Sequence, residues 1–273
     1  MYPAGYPTSA AAPRLGEGYN FFMNTLNELV GEMRRLIDSA GQNKIHLRAF
    51  GGLAILAHSQ KDPRFFQRHA PDLDFLVPRN DRQKLEPFFR EMGYSPNKQF
   101  NLLNGAHRQI YYYDKSQDLH VDILIGDFEM CHKLPLDDRL DIDPLTIPLA
   151  DLLLSKAQVV QLNRKDALDI ISLLFNNEVG GEEEGKIGLD RIIWLCSQDW
   201  GLYKTTSINL GRVEELLSDG EIKITSDERN LILERVHKIQ KAFDEMPKSI
   251  AWQMRDKVGT RVRWYLEVEE VDQ

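Results

Sequence analysis

Hydrophobic positions along the chain change period several times, and those changes divide it into elements. From Asn20 to Ala40 the apolar residues Phe21, Leu26, Leu29, Val30, Met33 and Leu36 recur at helical spacing, which predicts an amphipathic helix ending near Gly41. Ile45 to Phe50 alternates as a strand does and runs into Gly51-Gly52, after which Leu53 to His58 has good helix formers. A polar stretch, Ser59 to Pro71, precedes a short strand, Asp72 to Val77, closed by Pro78 and followed by a helix from about Arg82 to Met92. Ala106 to Tyr113 and Leu119 to Ile125 are aromatic or β-branched runs separated by Asp114 to Asp118, the pattern of a hairpin. Pro135 to Pro148, rich in Asp and Pro, reads as a connector in which Leu145 to Ile147 can add a short edge strand. Beyond it, helices are predicted over Leu149 to Leu162, Arg164 to Asn176, Leu189 to Ser197, Arg212 to Leu217, Asp227 to Phe243 and Ile250 to Val258.

The pattern predicts a mobile tail over residues 1–18, an α/β domain over 19–145 and a helical domain over 146–273. The fold class is therefore α/β (α+β), a small sheet module with helices, followed by more helices. A chain of 273 residues with 42% hydrophobic content can bury a substantial core. Its longest apolar runs fall short of the ~20 residues a membrane-spanning helix needs. The start, Met1 to Pro7, lacks the basic and apolar regions of a secretory signal, so a cytoplasmic protein with no membrane partner is expected. A net charge of −8 without any dense Lys/Arg block argues against an extended nucleic-acid surface. Cys131 and Cys196 stand in no metal-ligand spacing and read as ordinary buried or half-buried thiols.

Candidate chemistry starts at Asp72-Leu73-Asp74-Phe75-Leu76-Val77. The period of two puts Asp72 and Asp74 on one face, ~7 Å apart, close enough to repel unless a cation or solvent relieves the charge. Hard oxygen donors of this kind suit Mg²⁺ or Mn²⁺ carrying substrate phosphates; the plainer alternative is a solvent-facing strand with two ordinary acids. Asp122 interrupts the apolar run Leu119 to Ile125 and shares a face with His120. If that strand lies beside the Asp72 strand, three carboxylates converge as in a metal clamp on phosphoryl transfer; alternatively Asp122 pairs with Arg108 across the hairpin. Gly51-Gly52 allows close approach of a phosphate to a helix N-terminus, or makes a tight turn. Lys156 occupies an apolar-stripe position with Leu149, Leu152, Leu153 and Val160, from which it snorkels outward or meets a triphosphate. Asp166 and Asp169 flank the stripe of the next helix, where the helix dipole and capping by Asn163 account for acids in a first turn.

Taken in order, Ala49-Phe50-Gly51-Gly52-Leu53-Ala54, then Arg68-His69-Ala70-Pro71-Asp72-Leu73-Asp74-Phe75-Leu76-Val77, then Val121-Asp122-Ile123-Leu124, resemble the nucleotidyltransferase superfamily. The branch that looks closest includes aminoglycoside-type nucleotidyltransferases and the nucleotidyltransferase toxins of abortive-infection systems. Pro148 to Ala157 and Arg164 to Ile170 look like that branch's helical motifs, so the resemblance covers about Leu47 to Leu174. It implies a nucleotidyltransferase-fold sheet and a reaction that moves a nucleoside monophosphate from a nucleoside triphosphate, ATP or another, to an acceptor hydroxyl with release of pyrophosphate. The acceptor is a small molecule, a protein or an RNA. The resemblance also implies that Gly51 and Gly52 cradle phosphates and that Asp72, Asp74 and Asp122 hold Mg²⁺ or Mn²⁺, Asp122 completing that site or activating the acceptor. Lys156 would contact the nucleotide, Arg68 a phosphate, and Asp166 and Asp169 would shape the acceptor side. The chain departs from the pattern at Ala70, where Ser or Thr is usual, and in having no Ser near the glycines. Two other readings stay open: a binding module that kept the fold without catalysis, and the toxin of a toxin–antitoxin pair.

Overall fold

A computed structural model describes residues 15–59, 62–65, 72–181 and 185–267, without side chains for 15–25 and 116–118. Most of the expected tail and Arg68 therefore lie outside the described residues. Helix α1 (Leu15–Gln42) already includes the last four residues of that tail. It is followed by β1 (Arg48–Ala49), α2 (Gly51–Ala57), β2 (Leu73–Val77), α3 (Leu85–Glu91), β3 (Tyr94–Pro96), α4 (Lys98–Asn104), β4 (Arg108–Tyr113) and β5 (Ser116–Ile125). These strands form one mixed sheet in the order β1-β2-β5-β4-β3. β2 and β5 run parallel at its centre, and the other pairs are antiparallel.

Alternation decides which face of the sheet is filled. Leu73, Phe75 and Val77 of β2 and Val121, Ile123 and Ile125 of β5 are buried on one face, as a period of two requires. On that side Phe89 of α3 stacks on Tyr111 at 4.7 Å between ring centroids. The Tyr94 hydroxyl donates to Glu32 of α1 at 2.7 Å, tying the first helix to the far edge of the sheet. At the other edge β1 is two residues long, shorter than the run Ile45 to Phe50 predicts, and the connector supplies its second partner. Ala49 N–H donates to Leu145 C=O (2.9 Å) and Ile147 N–H to Ala49 C=O (3.0 Å), so the extra edge strand expected at Leu145 to Ile147 is present as a single parallel bridge, Ala49 with Thr146.

Two small strands, β6 (Phe128–Glu129) and β7 (Lys133–Leu134), follow the sheet. The helical half is α5 (Leu149–Ala157), α6 (Arg164–Asn176), a parallel pair β8 (Glu178–Gly180) and β9 (Lys186–Gly188), then α7 (Leu189–Gln198), α8 (Trp200–Ser218), α9 (Ser226–Glu245) and α10 (Ile250–Val258). α5 is buried along most of its length, Lys156 alone being partly exposed. Its one charged core residue, Asp151, is fully buried between the guanidiniums of Arg139 (2.8 Å) and Arg191 (2.9 Å). Arg191 also donates to Pro135 C=O at 2.6 Å, so this triad fixes the connector to α5 and α7. No helix among the described residues is long and apolar enough to cross a membrane.

Candidate active site

The adjacency on which the acidic cluster depends is present. β2 and β5 pair in register with Asp74 opposite Asp122, and parallel register partners point to the same side of a sheet ~4.8 Å apart. On that side Leu76 is also buried, while Asp74, Asp122 and Leu124 are only partly covered. Phe50 N–H donates to Asp74 C=O at 2.9 Å, which brings the glycine turn over the carboxylate. Gly51 has φ +66, and a Cβ there would lie 2.4 Å from Asp74 Oδ2. Only glycine allows both the backbone and the approach.

Gly51, Gly52, Asp74, Asp122, Lys156 and Asp166 line one cleft of about 950 Å³ between the sheet and α5–α6. Asp72 stands one residue before β2, off the cleft wall, with its carboxylate 3.8 Å from His120 Nε2. Asp169 is buried behind the wall. Lys156 bridges these acids, its ammonium 2.8 Å from Asp166 and 3.1 Å from Asp169. The lysine in the apolar stripe thus has protein partners, and Asn163 caps α6 by accepting from Asp166 N–H at 2.8 Å. Asp122 also has a partner: Arg108 Nε lies 2.8 and 2.9 Å from its two oxygens, and a terminal nitrogen of Arg108 contacts one of them. The pairing across the hairpin, weighed above as the plainer account of Asp122, occurs in the same residue that faces Asp74.

Several cleft groups carried no sequence signal. Arg79 follows Pro78 at the end of β2, and Asp127 follows β5; Arg79 donates to Asp127 at 2.9 Å, as does Lys133. Burial pushes the Asp127 carboxyl up, but the hydrogen bonds from Lys133 and Arg79 outweigh it and hold the group below the usual range. Both residues sit where the two parallel strands end, the edge at which open α/β sheets bind ligands. Tyr265, Leu266 and Glu267 reach the cleft from the C-terminal segment, held by Leu266 N–H on Cys131 C=O (3.0 Å) and Trp264 Nε1 on Thr205 (3.0 Å).

The donor set fits a small hard cation held by one or two carboxylates, with water and phosphate oxygens completing its shell. Among the described residues no group of three or more His, Cys, Asp or Glu is placed to hold a metal ion.

The mixed sheet thus carries Asp74 and Asp122 on adjacent strands beside the Gly51 turn. The family model described as "Uncharacterised nucleotidyltransferase" matches residues 7–164, more than half of the 273 residues, and the chain belongs to that family. Comparison with curated proteins finds no match. The family supports nucleotidyl transfer as the general function.

Proposed function

We propose that the chain is a metal-dependent nucleotidyltransferase acting on a nucleoside triphosphate and an acceptor hydroxyl. The observation that carries this reading is the register pairing of Asp74 with Asp122 beneath Gly51. The acceptor oxygen bonds to the α-phosphorus, the bond from that phosphorus to the bridging oxygen breaks, and pyrophosphate leaves. Asp122 takes the hydroxyl proton, Asp74 with Asp122 would hold the cation against the α-phosphate, and the glycine turn admits the phosphate chain to the strand ends. Arg68 contacts a phosphate and Lys156 the nucleotide, and Asp166 with Asp169 hold Lys156 toward the cleft. Bound Mg²⁺ or Mn²⁺ would neutralise charge developing on the transferring phosphoryl group. Positioning and electrostatics supply most of the rate in such transfers.

The experiment is transfer of label from each α-labelled triphosphate in Mg²⁺, by the native protein and by Asp74→Asn, scored in small molecules, RNA and protein. Magnesium-dependent transfer lost in the variant supports the reading; equal labelling by both proteins removes it. A second reading has its own support in the structure: Arg108 occupies Asp122 and two acids occupy Lys156, as in a module that binds without turnover. Triphosphate binding with no product would favour it. Growth arrest on expression that disappears in Asp74→Ala would favour a toxin.

A further inference from the structure

Asp74 and Asp122 are in register on neighbouring strands, so their charges repel unless a cation lies close. In this structure the cation beside Asp122 is the Arg108 guanidinium, whose Nε bridges both carboxylate oxygens while a terminal nitrogen takes one of them. A carboxylate has about four lone-pair positions in its plane. The bifurcated Nε–H and one terminal N–H together engage both oxygens, and the arginine's charge would repel a divalent ion.

Arg108 is suited to leave. Its side chain is half-exposed while the Asp122 carboxylate is 13% exposed, and it reaches Asp122 diagonally, since its own register partner on β5 is Leu124. It opens onto the same cleft as Gly51 and Gly52. The Phe100 ring lies 5.8 Å from the guanidinium carbon, within cation–π range of the arginine. A phosphate offers the same bidentate geometry as a carboxylate with more negative charge.

We propose that Arg108 is an exchangeable counter-ion and a positioning residue: it neutralises Asp122 when the cleft lacks substrate, then transfers to a phosphate of the incoming triphosphate and frees Asp122 for the divalent cation. This rests on the metal site proposed above. Because coupling between two ligands is reciprocal, triphosphate then tightens cation binding at Asp74 and Asp122, and the cation tightens triphosphate binding.

The test is Mn²⁺ binding, read by electron paramagnetic resonance with and without a non-hydrolysable triphosphate, for the native protein, Arg108→Ala, Arg108→Lys and Asp122→Asn. Direct contacts between Mn²⁺ and triphosphate are common to all four proteins and cancel in the ratios. Without triphosphate, Arg108→Ala should bind Mn²⁺ about 10-fold more tightly than the native protein, in the range of ordinary coupling energies. The enhancement by triphosphate should fall by a similar factor, and Arg108→Lys, which keeps the charge but not the fork, should lie between. If Arg108→Ala binds Mn²⁺ no more tightly than the native protein while Asp122→Asn loses the ion, Arg108 is a fixed brace and the proposal is overturned with the metal site intact. Absence of Mn²⁺ binding in every protein, with or without triphosphate, overturns the metal site and the exchange together.

Discussion

Replacing Gly51 by alanine perturbs the backbone and the acidic pair in ways that separate in experiment. At φ +66 an alanine is held in the left-handed region, which costs about 1–2 kcal/mol. At roughly 2–4 °C per kcal/mol for a chain of this size, melting should fall by a few degrees. The new Cβ would lie 2.4 Å from Asp74 Oδ2, against 3.2 and 3.3 Å from the carbons behind it. Relief comes from rotating the end of the aspartate, and an oxygen restored to ordinary contact moves by about 1 Å. A displacement of that size at a reacting centre can cost about 10²-fold in rate. The assay is kcat for Mg²⁺-dependent transfer beside a thermal melt, with Gly211→Ala as control. Gly211 lies inside α8 with nothing within 4 Å of the added methyl, so that variant should gain about 0.5–1 kcal/mol and keep its rate. Full activity in Gly51→Ala, with melting lowered as expected, would refute the claim that the Asp74 carboxylate must sit where the glycine lets it.

Asp151→Ala removes the shared partner of two buried guanidiniums and should lower unfolding free energy in urea by about 3–5 kcal/mol; a loss under 1 kcal/mol would mean the triad is dispensable. Asp199 caps α8 by accepting from the Gly201 and Leu202 N–H groups. Burial raises its carboxyl pKa, but His132 and those two N–H groups outweigh it and hold it below the ordinary 3.8. Its ionised form therefore stabilises the fold above the unfolded value, and that contribution disappears as pH falls through the lower folded value. Asp199→Ala should cost about 0.5–2 kcal/mol at pH 7, and the gap from the native protein should shrink below about pH 4; a gap that is constant with pH would show that the charge contributes nothing.

Much of the fold is legible because its pattern is local. β2, α6 and α10 lie where alternation, the Asn163 cap and helical spacing put them. The departures are tertiary in origin. α5 stops at Ala157 rather than Leu162, and the Asn209 amide takes the carbonyls of Ala157 and Val159 just beyond its end. The first half of α8 contains Thr205 and Thr206, poor helix formers by propensity, yet both are buried with Trp200, Leu202 and Asn209, and packing overrides propensity there. β3 and α4 are too short to show a period, so the run Tyr94 to Asn104 carried no prediction.

Within the site, the face shared by Asp74 and Asp122 follows from a period of two, but their pairing needs the parallel register, which no sequence window contains. The Arg108 clamp is diagonal to its own register partner and could be weighed only as one of two options. Lys156 was legible as an anomaly; its two aspartate partners lie one turn apart on the next helix, visible only once α5 and α6 are packed. Tyr265 comes from the far end of the chain and has no local signal at all.

The most direct measurement is anomalous scattering from Mn²⁺ in crystals grown with a non-hydrolysable triphosphate. The account predicts a peak about 2.1 Å from oxygens of both Asp74 and Asp122, touching the triphosphate, with Arg108 turned away from Asp122. A well-ordered triphosphate in the cleft, with no manganese at that pair and Arg108 still closed on Asp122, would contradict it.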